Sequence, residues 1–280
     1  MNVTPQMDHL MHKLKFNGRA RCPQRAGFPF PGALNFGALG QHALPPLRGL
    51  VKIMLLCLLI APIANAQSSR IPLFDGKSLE GWEKLKDDRH LWRVEDNLIT
   101  GGSLTEKVPH NSFLSTKQSF HNFDLRLKIR IKGTEGFINS GVQIRSVRVS
   151  GSHEMSGYQV DAGNGWWGKL YDESRRNKVI GEAANLDAVN RAVKPTGWNE
   201  YRILAEGPRI RSWINGVLAL DYTETDPNIA QDGYIGIQVH GGGKALVQVS
   251  DVSIKELPAT LDAPTWKKIK LKSSFPQKSK

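Results

Sequence analysis

Apolar and polar residues alternate in short runs along most of this chain, and this period of two is what most restricts its fold. The clearest run is 123–131, in which five apolar residues are separated by four charged ones. Side chains of a β-strand point alternately to its two faces, so this run predicts a strand with one buried face. The only helical turn that we predict lies at residues 186–193.

Similar runs, separated by Gly, Asn, Asp and Pro, continue from Ile71 to Leu257 and predict about ten strands. Tight turns are expected at Gly207-Pro208 and Asn215-Gly216. A change of apolar phase predicts a bulge near Ser250-Asp251. The runs are 92–98, 123–131, 141–147, 158–161, 169–172, 201–206, 209–213, 217–220, 234–240 and 246–255. Together they predict one all-β domain, either a sandwich or a barrel, at residues 67–258.

Residues 1–66 are expected to be a presequence rather than part of the fold. Lys52 precedes the apolar run 53–60, and Ala64-Asn65-Ala66 follows, which is typical of a signal peptide at about 51–66. The run is shorter than the roughly 20 apolar residues that span a bilayer. We therefore expect an exported protein, periplasmic or extracellular, with no membrane span in the mature chain. Residues 1–50 are either a long n-region or precede a true start near Val51 or Met54.

Cleavage of this presequence would remove both cysteines and much of the charge. Cys22 and Cys57 lie before residue 67, which excludes a cysteine nucleophile, a thiolate zinc site and a disulfide from the mature chain. The net charge is +12; residues 1–66 contribute +6 and residues 259–280 contribute +5, which leaves +1 for 67–258. A nearly neutral domain argues against a nucleic-acid partner. The basic tail 259–280 is expected to be a solvated, disordered end; contact with an acidic surface is the alternative.

Polar side chains on neighbouring predicted strands are expected to share the face opposite the core. They are amides, one Arg, one Asp and one His, which suit recognition of sugar hydroxyls: Gln143, Arg145, Gln159, Asp161, Gln238 and His240. Lys169 and Tyr171 flank the apolar Leu170 on the next run, and Glu173 follows. The alternative for each residue alone is a solvated or cross-strand pair.

Tryptophans fall into two groups. Trp166 and Trp167 lie in a glycine-rich loop, where an aromatic face can stack on a sugar ring, although core packing is the alternative. Four others occupy strand positions and are expected in the core: Trp82, Trp92, Trp198 and Trp213.

Other site types find little support. A Gly-x-Ser-x-Gly elbow is absent, so a triad hydrolase is not indicated. His110, His121 and His153 lack metal-ligand spacing. No cofactor is identifiable, while a divalent metal ion such as calcium stays open, because its ligands need not be close in sequence.

Six motifs in order give the chain a resemblance to the 3-keto-disaccharide hydrolase domain family over residues 73–257. They are 73–82 (LFDGKSLEGW), 139–145 (NSGVQIR), 157–161 (GYQVD), 198–201 (WNEY), 213–216 (WING) and 235–240 (IGIQVH). The resemblance implies a concanavalin A-like jelly roll of two antiparallel sheets, export, and cleavage of glycosides oxidised at C3.

The substrate class that the resemblance implies suggests a mechanism. A ketone at C3 acidifies the C2 hydrogen, so a base can remove it and the glycosidic oxygen can leave by elimination before water adds. We expect His240 as the base, since imidazole exchanges protons near neutral pH. Arg145 or Lys169 would stabilise the enolate, and Asp161 or Glu173 would orient groups or act as the acid. The residues expected to bind substrate are Gln143, Gln159, Gln238, Tyr171, Trp166 and Trp167.

Two non-catalytic alternatives stay open. One is a carbohydrate-binding module of the same architecture, since a fold does not dictate activity. The other is a cell-surface interaction domain that docks through its basic tail.

Overall fold

A computed structural model describes residues 69–273, with side chains described to residue 270. The strands are β1 (Ile71–Pro72), β2 (Trp82–Glu83), β3 (Trp92–Glu95), β4 (Leu98–Gly102), β5 (Ser112–Phe120), β6 (Asn122–Glu135), β7 (Asn139–Arg148), β8 (Met155–Gly163), β9 (Leu170–Glu173), β10 (Val179–Gly181), β11 (Asn199–Glu206), β12 (Arg209–Ile214), β13 (Val217–Thr223), β14 (Gly233–Val239) and β15 (Lys244–Leu257). Two short helices are α1 (Leu186–Ala192) and α2 (Trp266–Ser273). The predicted signal peptide and translation start lie outside the described residues.

The strands form two antiparallel sheets. Sheet A has the order β13-β12-β11-β6-β15-β4-β3, with β1 also paired to β15, and sheet B has the order β10-β9-β8-β7-β14-β5-β2. Consecutive strands pair at both ends of sheet A and at one end of sheet B, whereas the central neighbours, such as β6 with β15 and β7 with β14, come from distant parts of the chain, as in a jelly roll. The predicted all-β, two-sheet jelly-roll class is confirmed.

The core lies between the sheets and follows the predicted alternation. On β6 of sheet A, Leu125, Leu127 and Ile129 are at most 3% exposed. On β7 of sheet B, Val142 and Ile144 are fully buried in the same apolar cluster. Burial of each apolar side chain contributes about 1.5–3 kcal/mol, so the register of both sheets is firmly fixed.

Local details of the strand prediction were confirmed in part. The pairing of β15 with β6 shifts between Ser250 and Ser253, where the bulge was expected. Helix α1 occupies the predicted helical turn. The predicted strand 92–98 is instead a hairpin, because Asp96 and Asn97 both take positive φ angles of 53° and 59°. That pair of angles is typical of a type I′ turn, which Asp and Asn tolerate.

Two tryptophans that were expected in the core lie outside it. Trp198 and Trp213 are half-buried, and the guanidinium groups of Arg130 and Arg202 lie 4.6 Å from their respective ring centroids. Trp213 alternates on β12 with the buried residues on either side of it, so its ring points away from the core. The prediction was correct for Trp82 and Trp92, which are buried.

The expectation of a disordered end after residue 258 is wrong for the part of the tail that the structure describes. Helix α2 begins at Trp266, whose backbone N–H donates to Asp232 and whose indole N–H donates to the carbonyl oxygen of Arg145. These bonds attach the segment to the loop before β14 and to β7. Charge counting overlooks these contacts of Trp266, and the segment is also attached by the bond from the Gln231 N–H to the Pro264 carbonyl oxygen.

Candidate functional site

A cleft of about 270 Å³ opens on the face of sheet B opposite the core. Its wall contains carboxyl, amide, imidazole and aromatic groups, all within reach of one small polar molecule. The lining residues are Asn111, Phe137, Asn139, Gln159, Asp161, Trp166, Tyr171, Glu173 and His240. Six of the predicted site residues, on β8, β9, the loop between them and the end of β14, therefore meet in this cleft.

His240 lies immediately after β14, at one side of the cleft. Its Nδ1 is 2.7 Å from the carbonyl oxygen of Gly241. A carbonyl only accepts hydrogen bonds, so Nδ1 carries the proton and the neutral ring keeps its lone pair on Nε2. The ring also meets the edge of Phe137, with centroids 4.7 Å apart. His240 therefore has a fixed tautomer, and its Nε2 accepts no hydrogen bond from the residues that the structure describes.

Two carboxyl groups of the cleft hold their protons more tightly than usual. Burial raises the pKa of Glu173 to about 7, and the nearby charge of Glu154 adds to this effect. Burial also raises the pKa of Asp161 well above its usual value, and the charge of Glu173 acts in the same direction. Oδ1 of Asp161 accepts from Gln159 at 2.8 Å, whereas its buried Oδ2 has no hydrogen-bond partner among the described residues. The cleft can therefore offer protons at neutral pH.

The three predicted glutamines form a hydrogen-bonded chain instead of an exposed row. Nε2 of Gln143 donates to Oε1 of Gln159, and Nε2 of Gln159 lies within hydrogen-bond distance of both Asp161 and Gln238. Gln143 and Gln238 are fully buried, and only Gln159 lines the cleft. The prediction that Gln143 and Gln238 lie on an outer surface is wrong, because neighbouring side chains cover this face. The two residues instead hold the Gln159 side chain in place through their hydrogen bonds to it.

Aromatic rings form one rim of the cleft. Trp166 meets Phe137 and Tyr171 edge-on, with ring centroids 6.3 and 6.2 Å apart. Lys169 extends over the Trp166 ring at 5.5 Å. Trp167 is only 6% exposed and belongs to the core cluster, so its predicted place in the site is wrong. The loop turns one tryptophan outward and the other inward.

Arg145 lies away from the cleft, and its predicted role beside the substrate is wrong. Its guanidinium is buried and donates to the carbonyl oxygens of His121 and Gly207 and to Oδ1 of Asn122. A bulge in β7 and a positive φ of 50° at Arg145 change the side chain's direction relative to Gln143. Burial lowers its pKa to about 10, so the group stays charged at neutral pH and acts as a structural link.

Several residues at the cleft were not predicted because loops carry them. Phe137 follows β6, and Asn111 precedes β5, where its amide donates to Oε1 of Glu154. Glu154 precedes β8, and burial raises the pKa of its carboxyl. Asn139 begins β7, two residues before the predicted start of that strand. Only Asn139 continues a period-two pattern, with Gly141 and Gln143, and could have been found from it.

A group of possible metal ligands lies beside these loops. Asp88, His110 and His153 bring one ligand atom each to within 4.8 Å of one another. The spacing of His110 and His153 in the sequence gives no sign of this group, because loops distant in sequence bring the two rings together.

A larger groove of about 610 Å³ lies on sheet A. Its charged groups are already paired, as in the contact of Arg202 with Asp124 and of Lys128 with Asp251. Although burial acts in the opposite direction, the hydrogen bond and the charge of Arg202 lower the pKa of Asp124, whereas the pKa values of Glu173 and Asp161 in the smaller cleft are raised. The smaller cleft on sheet B is therefore the better candidate for chemistry.

One solved structure with a TM-score of 0.50 supports the fold, and two others are similar to this chain at lower scores. A protein of unknown function with a galectin-like fold from Bacillus subtilis has a TM-score of 0.50 and 8% identity, covering 69% of this chain and 96% of that one. A candidate glycosyl hydrolase from Parabacteroides distasonis has a TM-score of 0.48 and 22% identity, covering 68% and 94%. The carbohydrate-binding module CBM66 from Bacillus subtilis has a TM-score of 0.47 and 19% identity, covering 63% and 96%. These likenesses concern the fold alone.

Family comparison is more specific. Among curated proteins there is no significant match. No helix within residues 69–273 is both long and apolar enough to cross a membrane.

The model of one family, the 3-keto-alpha-glucoside-1,2-lyase-like domain, matches residues 69–255, which include both sheets and every residue of the cleft. This chain therefore belongs to the 3-keto-alpha-glucoside-1,2-lyase-like domain family.

Proposed function

We propose that the protein is an exported enzyme that cleaves disaccharides or other glycosides already oxidised at C3 of the sugar ring. The observation that carries this proposal is one cleft that combines a free imidazole nitrogen with two proton-holding carboxyl groups. Family membership supports the carbohydrate class of the substrate. The aromatic rim suits the apolar face of a sugar ring.

The first proposed step is removal of the C2 proton by Nε2 of His240. The C3 ketone makes this proton acidic, and the electron pair of the C–H bond moves into an enolate whose oxygen is at C3. Asp161, whose pKa is raised by burial, is the proposed donor for that oxygen, and Lys169 supplies a positive charge nearby. Donors aimed at developing charge in a dry site are among the largest contributors to catalysis.

The second proposed step is expulsion of the leaving group. The enolate electrons restore the C3 ketone and form a C1–C2 double bond while the C1–O bond breaks. Glu173 protonates the departing oxygen, a role that fits its pKa of about 7. Water then adds at C1, and a proton returns to C2. The net reaction is hydrolysis of the glycosidic bond.

Turnover of 3-keto-trehalose by purified protein tests this proposal. We expect release of 3-keto-glucose by the wild type and no release of glucose from trehalose, which lacks the acidifying ketone. Loss of a general base lowers rates by about 10²- to 10⁴-fold, so His240→Ala should fall in that range. His121→Ala is the matched control, since His121 lies at the far end of β5 from the cleft side. Equal rates for the wild type and His240→Ala would remove His240 from the mechanism.

A carbohydrate-binding module is the second candidate, and one observation favours it. Phe137 is 44% exposed beside Trp166, and exposed aromatic pairs are sufficient for sugar binding without chemistry. Saturable binding of 3-keto-trehalose without turnover, lost in Phe137→Ala, would support this candidate over the enzyme. The cell-surface interaction domain stays a prediction, to be tested by deleting residues 259–280 and measuring retention on cells.

A further inference from the structure

Three loops, one within sheet B and two that connect the sheets, bring an aspartate and two histidines together. Asp88 lies before β3, His110 before β5, and His153 between β7 and β8. Oδ1 of Asp88 is 2.8 Å from Nε2 of His110 and 3.8 Å from Nδ1 of His153. The two imidazole rings stack with centroids 3.5 Å apart. Three donor atoms of this kind converging from separate loops are unusual for a surface that only meets solvent.

Asp88 is held rigidly from behind. The residue is fully buried, and its Oδ2 accepts a 2.7 Å hydrogen bond from the hydroxyl of Ser112. The same hydroxyl accepts from the indole N–H of Trp92 at 2.9 Å. Carboxylates that bind a metal ion are typically oriented by a hydrogen bond from a neighbouring group. Ser112 makes such a bond to the second oxygen of Asp88.

A simple ion pair leaves part of this cluster unexplained. His110 satisfies Oδ1 of Asp88, whereas Nδ1 of His153 is buried without a hydrogen-bond partner among the described residues. A buried polar nitrogen without a partner costs about 1–3 kcal/mol. A bound cation would remove this cost.

We propose that Asp88, His110 and His153 bind a divalent transition-metal ion of the zinc type. Two imidazole nitrogens and one carboxylate oxygen suit zinc better than calcium or magnesium, which prefer oxygen ligands. Bonds of about 2.0–2.2 Å in a tetrahedral site place ligand atoms about 3.3–3.6 Å apart. The distances of 2.8 and 3.8 Å from Oδ1 of Asp88 to the two ring nitrogens lie on either side of this range. The side chains of His110 and His153 are 32% and 42% exposed, which gives an ion a route of entry.

The proposed site is next to the cleft but does not depend on sugar chemistry. Asn111 and Glu154 directly follow His110 and His153, and the Asn111 amide donates to Glu154 at 3.1 Å. Oδ1 of Asn111 also accepts from the backbone N–H of Gly241, beside His240. A metal ion that joins the two histidine loops would therefore fix the positions of Asn111 and Glu154 at the edge of the cleft.

Calorimetric titration of chelator-treated, dialysed protein with ZnCl₂ tests the proposal without any sugar. We expect one Zn²⁺ per chain, a higher Tm with Zn²⁺, no stoichiometric binding of Ca²⁺, and visible absorption on replacement by Co²⁺. His153→Ala and His110→Ala should weaken Zn²⁺ binding at least about 100-fold, and Ser112→Ala about tenfold, because orienting groups contribute about 10- to 100-fold. His121→Ala is the control and should bind as the wild type does.

Two results would overturn the metal site: no stoichiometric Zn²⁺ binding by the wild type, or equal affinity in the wild type and His153→Ala. Circular dichroism and Tm without metal check that each variant is folded. If an alanine variant does not fold, His153→Gln and His110→Gln provide the same comparison. Since none of these readouts uses a substrate, failure here leaves the proposed sugar chemistry untouched, and failure of that chemistry leaves this site untouched.

Discussion

At the scale of single residues, Glu173 should make the stability of the protein depend on pH. Its pKa is about 7 in the folded protein and 4.5 in an unstructured chain, so the folded state binds the proton more tightly. The free energy of unfolding should therefore be highest below pH 4.5 as far as this group is concerned, and should fall as pH rises to about 7. The shift in pKa corresponds to roughly 3 kcal/mol of unfolding free energy, or about 2 kcal/mol after allowance for the partial exposure of the Glu173 side chain.

Glu173→Gln removes this ionisation and keeps the shape of the side chain. We expect the variant to be more stable than the wild type at pH 8 by about 2 kcal/mol and nearly equal to it at pH 4.5. Urea unfolding at both pH values measures this difference. A difference in stability between the variant and the wild type that is the same at both pH values would contradict the raised pKa. The same variant should lose activity, because a glutamine cannot protonate the leaving group.

At the scale of elements, β7 and β8 position the site through one missing side chain. Gly141 pairs with Asp161 across the two strands, and the Gln159 side chain fills the space beside it. A Cβ at Gly141 would lie 2.5 Å from Cγ of Gln159. Gln159 in turn donates to Asp161, so the glycine determines where that carboxyl group is held.

Gly141→Ala should therefore displace Gln159 and destabilise the protein by about 1–3 kcal/mol, as overpacking does. Gln159→Ala in the same chain removes the clashing side chain. We expect the double variant to be more stable than the sum of the two single effects predicts, which chemical unfolding of all four proteins measures. Additive effects would mean that the two residues do not compete for this space.

At the scale of the whole molecule, the sequence predicted what depends on periodicity and missed what depends on loops and bulges. Alternation placed Gln159, Asp161 and His240 on one face of sheet B, and they do meet in the cleft. The bulge in β7, unlike the one in β15, was not predicted, and it moved Arg145 away. Alternation also does not show whether neighbouring side chains cover a polar face. Gln143 was therefore predicted on the surface, although it is buried.

Loop residues have no period, and their contacts form only when the two sheets close. Phe137 and Glu154 therefore escaped prediction, as did the meeting of His110 with His153. Trp266 shows the same limit at the end of the chain, since nothing local in a lysine-rich segment predicts its bond to the Arg145 carbonyl.

The central claim is that the glycosidic bond breaks by elimination after removal of the C2 proton, and turnover in deuterium oxide tests it most directly. The wild type, given 3-keto-trehalose in D₂O, should release 3-keto-glucose that carries deuterium at C2, because the proton that returns to C2 comes from solvent. Free 3-keto-glucose incubated with His240→Ala gives the background exchange. Product that forms at the wild-type rate with its original C2 hydrogen, and no deuterium above that background, would contradict the account.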